Sequence, residues 1–332
     1  MKKSIYKKNY KQNKTLHKKL SRKFLKKKSK YGRKYTYTII KIIKFIFLFV
    51  FIFLHKVYNN YSKALLEYYY INRLRVIKSQ RRHYDESNLI TFEDKLNWLA
   101  IHDVKKLKGK CADKILLHKY AKRILKKDIC NKILKVYDNP EQINVSELPD
   151  QFVLKANHGS AFNIIVHNKS ELDVVKAKKA LSNWIQVDFG KQGAEFHYSF
   201  IKRKVFAEEY IGKNLNNYKF FCYNGIPRFI YIFKEEGKKH YITYFDMEWN
   251  RLNYYCVESP HPTDIYPKPQ TFELMKKYAS KLSRPFKFAR VDFYEFNNEV
   301  RLGEITFLPT NGFVRCKKKE HDIELGKYLK LF

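Results

Sequence analysis

Two runs near the C-terminus alternate apolar and polar residues with period two: Ala289-Arg290-Val291-Asp292-Phe293-Tyr294, then Val300-Arg301-Leu302-Gly303-Glu304-Ile305-Thr306-Phe307. The turn-forming Asn297-Asn298 between them predicts a β-hairpin. A three-residue loop, residues 297–299, sets Phe296 against Val300, Asp292 against Glu304 and Arg290 against Thr306. One face then carries Arg290, Asp292, Glu304 and Thr306, while Val291, Phe293, Ile305 and Phe307 line the other. Opposed side chains lie about 4.5–5.5 Å apart. Two carboxylates that close repel each other unless a cation stands between them. Oxygen ligands suit hard cations such as Mg²⁺, which usually arrive with phosphates. A solvated acidic face is the plainer alternative.

The same reading along the chain predicts a helix over residues 91–102 capped by Thr91, and a second over about 112–126. Strands follow at 152–156 and 163–167. A long amphipathic helix, 170 to about 187, sets Val174, Ala177, Leu181, Trp184 and Ile185 on one face. Strands at 205–211, 218–223, 228–233 and 241–245 come next, with Asn224-Gly225 as a tight turn. A helix over 271–283 precedes the hairpin, and a short helix ends the chain. Helices interspersed with hairpins indicate an α+β protein with mainly antiparallel sheets.

Charge changes the picture at the N-terminus. The 332 residues carry a net +36, of which residues 1–35 contribute +16 and residues 36–82 another +8, leaving +12 for the rest. Residues 1–35 form a basic tail, 36–58 a hydrophobic segment, 59–83 a basic helical linker, and 84–332 the folded domain. Residues 37–58, with an uninterrupted apolar run at 45–54, are marginal against the roughly 20 residues of a bilayer span, which stays an alternative beside a buried or disordered segment. Basic flanks on both sides favour a membrane-associating helix held at an anionic lipid surface. Nucleic acid is the rival partner for the tail, and the adjacent phenylalanine-rich stretch favours lipid. The cysteines Cys111, Cys130, Cys222, Cys256 and Cys316 are odd in number and scattered. With no Cys-x-x-Cys pair among them, that speaks against a disulfide framework and against a structural zinc site, and for a reducing compartment.

Three further segments carry candidate chemistry. Phe152-Val153-Leu154-Lys155 runs into the small-residue loop Ala156-Asn157-His158-Gly159-Ser160. Its lysine and loop amides suit phosphate oxygens, or the segment is an ordinary hairpin with a solvated lysine. Val205-Phe206-Ala207-Glu208-Glu209-Tyr210 places two acids in an apolar strand. A buried carboxylate there needs a partner, either a ligand group or a nearby lysine. Tyr218-Lys219-Phe220-Phe221 offers one cation on an otherwise hydrophobic strand.

Taken in order, Asp113-Lys114, Leu154-Lys155, Glu208-Glu209-Tyr210, Lys219, Arg290-Val291-Asp292 and Gly303-Glu304-Ile305-Thr306 resemble the ATP-grasp superfamily, which includes D-alanine–D-alanine ligase. More closely, they resemble the TupA-like ATP-grasp family attached to bacterial surface-polysaccharide genes. Further support comes from Lys95-Leu96-Asn97-Trp98-Leu99, from Leu148-Pro149-Asp150-Gln151 leading into the Lys155 strand, and from Cys222-Tyr223-Asn224-Gly225 after Lys219. The resemblance covers about residues 84–330.

It implies an ATP-grasp fold, two α+β subdomains gripping ATP, and a carboxylate–amine ligase that works through an acyl phosphate. Lys114 and Lys155 would hold phosphates, with Gly159 and Ser160 forming the lid loop. Glu208 and Glu209 would meet adenine and ribose, and Lys219 would reach the triphosphate. Asp292, Glu304 and Thr306 would bind Mg²⁺, while Arg290, with Lys155, would act on the transferring phosphoryl. Ala161 and Phe162 stand where relatives extend the lid with glycines, and Thr306 stands where many have asparagine. Pro309-Thr310-Asn311-Gly312 lacks a Pro-Gly pair. The expected substrates are ATP and a sugar-acid or amino-acid carboxylate with an amine. The expected location is the cytoplasmic face of the cell membrane. The alternatives are a glycosyltransferase or phosphotransferase acting on polysaccharide precursors, and a catalytically silent membrane-tethered ATP-binding module.

Overall fold

The structure, a computed structural model, describes residues 85–212, 215–236, 239–252, 266–314, 316 and 318–332. They all belong to one compact unit within Ala64–Phe332. The basic tail, the hydrophobic segment and the linker lie outside the described residues. Among those described, no helix is long and apolar enough to cross a membrane.

Three helices come first among the described residues: α1 (Phe92–His102), α2 (Lys106–Ala112) and α3 (Leu116–Leu125). Thr91 caps α1 as expected, in a reciprocal capping box with Asp94. The single helix expected over 112–126 is instead broken at residues 113–115. There the Asp113 carboxylate accepts the N–H groups of Ile115 and Leu116 at 2.9 and 3.2 Å, offering the backbone an alternative to continued helix.

A four-stranded sheet comes next, with order β1-β4-β2-β3: β1 (Ile133–Tyr137), β2 (Phe152–Ala156), β3 (Asn163–Val166) and β4 (Val205–Glu209). Helix α4 (Val174–Gln186) covers one face, and α5 (Phe189–Gly193) follows it. Ala177 and Leu181 of α4 pack on Phe152, Leu154, Val205 and Ala207. The alternation of side chains along a strand leaves Val153, Lys155, Phe206 and Glu208 on the opposite face. The helix expected from residue 170 begins at Val174, after a separate 3₁₀ turn at Lys169–Glu171.

The second sheet has six strands in the order β10-β9-β5-β6-β7-β8. They are β5 (Asn217–Tyr223), β6 (Ile226–Glu236), β7 (Lys239–Asp246), β8 (Arg251–Leu252), β9 (Phe288–Phe296) and β10 (Glu299–Thr306). Every strand pair in both sheets is antiparallel. One face buries Phe220, Val291, Phe293, Ile305 and Phe307 against α3 and α6 (Phe272–Ser283), through Tyr120, Met275 and Leu282. The other face buries Phe221, Tyr223 and Phe288 against α1 and the C-terminal helix α7 (Lys319–Tyr328).

The Lys95-Leu96-Asn97 motif is structural. Lys95 donates to the carbonyls of Gly326 and Leu329, at 2.6 and 2.7 Å, and Asn97 donates to the Gly312 carbonyl at 2.8 Å. The first helix is thereby fastened to the chain's end and to the segment that follows β10.

The hairpin corrects one expectation and keeps its consequence. Its turn has two residues, with Asn297 and Asn298 at φ 52° and 57°, so Glu299 and not Val300 faces Phe296. A bulge between Leu302 and Glu304 then inserts Gly303, and Glu304 faces Asp292 while Thr306 faces Arg290. The described cysteines form no disulfide framework, although they are not all free. Cys111, Cys130 and Cys222 are free, but Cys316 is disulfide-bonded.

Candidate active site

Strand β9 brings Arg290 and Asp292 to the same face of the six-stranded sheet, and its neighbours supply the rest. In register, Lys219 of β5 lies opposite Asp292 on one side and Glu304 of β10 opposite it on the other. Asp292 is fully buried, which would be costly for a lone carboxylate. It is compensated by three bonds. Arg290 donates from Nε to Oδ1 and from Nη2 to Oδ2, both at 2.7 Å, and the Lys219 ammonium pairs with Oδ2. The same Nη2 reaches Glu304 Oε1 and Thr306 Oγ1, each at 3.0 Å. The Arg290 guanidinium is thus the cation that two adjoining carboxylates require. Being paired this way, it is held well above its ordinary value against the pull of burial.

Glu304 is subject to opposing effects. Desolvation pushes its carboxyl up, but Lys219, Arg290 and Lys114 outweigh it and hold the group at about 2. Glu304 is therefore an anion throughout the physiological range. Tyr231 completes the rim, its hydroxyl 3.4 Å from Arg290 Nη1.

On the four-stranded sheet, Lys155 of β2 forms an ion pair with Glu208 of β4. Glu208 sits opposite Val153, two residues along from Lys155, so the two lie on one diagonal. Asn131 adds a bond to the same oxygen of Glu208 at 3.4 Å. Glu209 points the other way, and its carboxylate accepts the Lys132 N–H at 2.8 Å beside β1. The described contacts do not bring Glu209 into this group.

Lys114 feels charges from both sheets. Burial lowers its pKa, Glu304 of the larger sheet and Glu208 of the smaller one raise it, and Lys155 lowers it again. One ammonium thus lies in the field of carboxylates from both sheets. Tyr294 reports the same convergence: after burial, its upward shift comes from Glu304, Asp292 and Glu208.

Lys114 is fastened to the loop after β2. Its N–H donates to the Asn157 carbonyl at 2.9 Å and its ammonium to the Gly159 carbonyl at 2.7 Å. Asn157 in turn accepts from Lys204 N–H at 2.8 Å, tying the loop to the start of β4. Gly159 has φ +75°, and a Cβ there would meet the Phe162 ring at 2.8 Å, so only glycine fits. Phe162 stacks on Trp184 with ring centres 5.3 Å apart and meets Phe189 edge-on at 5.8 Å. Ser160 at the loop's tip is exposed. Phe162, one of the two residues that stand in place of lid glycines, therefore pins the loop to α4 and α5.

The donors Asp292, Glu304 and Thr306 are all oxygens clustered on one hairpin face, a set that suits Mg²⁺. Lys219, Arg290 and Lys114 add positive charge beside them, and Lys155 lies in the field of Lys114, a set suited to phosphate. The arrangement can bind a polyphosphate and a hard cation together. Tyr231, Asn131 and Tyr294 were not legible from the sequence. Tyrosine and asparagine are frequent in this chain, and only the sheet register singles these out.

The sequence matches the family model described as TupA-like ATPgrasp over residues 94–330. Among solved structures, the chain is similar to D-alanine–D-alanine ligase from Helicobacter pylori, at 16% identity, covering 67% of this chain and 59% of that one, with a TM-score of 0.38. It is similar to D-alanine–D-alanine ligase from Bacillus anthracis complexed with ATP, at 16% identity, covering 60% and 55%, with a TM-score of 0.37. A third is carboxyaminoimidazole ribonucleotide synthase from Aspergillus clavatus complexed with ATP, at 12% identity, covering 63% and 46%, with a TM-score of 0.37. The chain spans less than two thirds of the length of each of these proteins. It has no significant match among curated proteins.

Proposed function

The chain belongs to the TupA-like ATP-grasp family, and from that premise we propose that it is an ATP- and Mg²⁺-dependent ligase joining a carboxylate to an amine. One observation carries the reading: Lys219, Arg290 and Lys114 act on the oxygen donors Asp292 and Glu304, and Lys114 also lies in the field of Glu208, the partner of Lys155.

Asp292, Glu304 and Thr306 would hold Mg²⁺, which when bound neutralises charge developing on the phosphates. Lys114 and Lys155 exchange their protein partners for phosphate oxygens as ATP enters, and Glu208, released by Lys155, accepts from the nucleoside. Lys219 and Arg290, which hold the Asp292 and Glu304 oxygens in the absence of Mg²⁺, would turn from them to the γ-phosphate and stabilise charge as it moves to the carboxylate oxygen. The acyl phosphate so formed is attacked by the amine, the C–O bond to phosphate breaks, and inorganic phosphate leaves. The loop at residues 157–162 covers the phosphates and keeps water from the acyl phosphate.

The net +12 outside residues 1–82 suits an acidic substrate, such as a sugar acid or amino acid. A role in surface polysaccharide assembly rests on the family resemblance. The need for ATP puts the domain on the cytoplasmic side of the membrane, with residues 36–58 as a surface anchor.

Hydroxylamine provides the test. With ATP, Mg²⁺ and a panel of sugar-acid and amino-acid carboxylates, it should trap a hydroxamate and release ADP and phosphate, and Asp292→Ala should not. Release of AMP and pyrophosphate, or turnover of a sugar nucleotide without ATP, would contradict the assignment. Binding of Mg-ATP with no phosphate release on any carboxylate would favour the silent module.

A further inference from the structure

The connection between α3 and β1 holds a group of side chains that the ATP reading does not use. His118 on α3 and Asp128 and Cys130 on the connection place a ring nitrogen, a carboxylate oxygen and a sulfur within 4.8 Å of one another. Cys130 is a free thiol only 7% exposed. Among the described residues neither its sulfur nor either ring nitrogen of His118 makes a hydrogen bond. The connection's backbone is fixed independently. Leu302 donates its N–H to the Ile129 carbonyl at 2.7 Å, Cys130 bridges to Leu302, and Asp128 accepts the Cys130 N–H at 3.2 Å. Three donors of different chemistry are therefore held together without satisfying one another.

The surroundings select what could bind. His118 lies in the field of Asp128, Glu208 and Lys155, and Cys130 in that of Asp128, Glu208 and Arg301, while Lys119, Lys122, Arg123, Lys126 and Lys127 are exposed nearby along the chain. A donor set with a single carboxylate oxygen beside nitrogen and sulfur disfavours hard ions such as Mg²⁺ or Ca²⁺, which take oxygen ligands. Imidazole nitrogen and thiolate sulfur instead form strong bonds to zinc-class ions, and carboxylate is an accepted third ligand. We propose that His118, Asp128 and Cys130 bind a divalent transition ion of the zinc class, with a fourth position open to solvent beside the exposed Asp128. Three protein ligands and one open position describe an exchangeable site, whereas closed structural sites use four. Binding converts the Cys130 thiol to thiolate and releases its proton to solvent, so affinity rises with pH. An ion there ties α3, which begins just after Lys114, to the connection that pairs with Leu302, two residues before Glu304. The site stands independently of the ATP reading.

Cobalt(II) chloride is the probe. Titrated into the full-length chain, it should give a near-ultraviolet thiolate-to-cobalt charge-transfer band that zinc chloride displaces. Cys130→Ser should abolish the band, and Cys222→Ser should leave it unchanged. His118→Gln should weaken zinc binding by more than the roughly 10–100-fold that loss of an outer-shell partner costs. A wild-type titration without the band, or a band that survives in Cys130→Ser, overturns the proposal. Should Cys130→Ser fail to fold, unchanged zinc affinity in His118→Gln overturns it equally.

Discussion

Gly303 stands so close to Tyr294 that a methyl group on it would lie 2.8 Å from the ring's Cε2 atom. This contact sits at the bulge that shifts β10 by one residue against β9. Without the shift, the short Asn297-Asn298 turn would send Glu304 and Thr306 into the core, because a one-residue slip exchanges the two faces of a strand. The bulge keeps Val300 and Leu302 on the same apolar side as Ile305 and Phe307. Gly303→Ala should therefore destabilise the protein by about 1–3 kcal/mol, the usual range for overpacking. Tyr294→Leu in the same chain should recover part of the loss. Urea denaturation of the two variants measures both.

Arg290 is the counterion of a buried carboxylate, so its removal should be felt in stability as well as in chemistry. Arg290→Met leaves Asp292 with Lys219 alone. The expected loss is about 3–5 kcal/mol, as for breaking a buried ion pair from one side. Adding Asp292→Leu should return much of it, because the orphaned charge goes too. A double-mutant cycle by urea denaturation reads the coupling.

Acid should weaken this site in a defined window. The Glu304 carboxyl is held at about 2, below its ordinary 4.5, by Lys219, Arg290 and Lys114 against desolvation. Folding thus favours its ionised form. That stabilisation is complete above about pH 4.5 and is lost as the pH falls towards 2. The stability gap between wild type and Glu304→Gln should be flat from pH 7 to 5 and close below that. Denaturation series across pH for the two proteins would check it.

The pinned loop makes a dynamic prediction. Phe162 stacks on Trp184 and meets Phe189, and each such aromatic pair adds about 0.5–1.5 kcal/mol beyond burial. Phe162→Ala should raise hydrogen-exchange rates at Ala156 and Asn157, whose N–H groups donate to the Phe162 and Lys204 carbonyls, by roughly two- to twelvefold per pair lost. Rates in α6 should not change.

Much of this architecture was written in local pattern. The pairing of Asp292 with Glu304 and of Arg290 with Thr306 follows from alternation, and the helix cap at Thr91 from its side chain. The route to that pairing was misread. The spacing Val300, Leu302, Ile305, Phe307 carries a phase shift that marks a bulge, and a uniform period of two conceals it. Strand β1 was missed because its residues show no clean alternation, and β4 organises it from a distant part of the chain. The field of Glu304 and Glu208 on Lys114 has no local signal at all, since three separate segments must fold together to create it.

The account stands or falls on whether both sheets grip one triphosphate. Isothermal titration of Mg-ATP into wild type, Lys155→Met and Lys219→Met tests it, one lysine coming from each sheet. Both variants should bind at least about tenfold more weakly, a loss of roughly 1.4 kcal/mol. Wild-type affinity in either variant would mean that its sheet does not reach the phosphates, and the shared site would be contradicted.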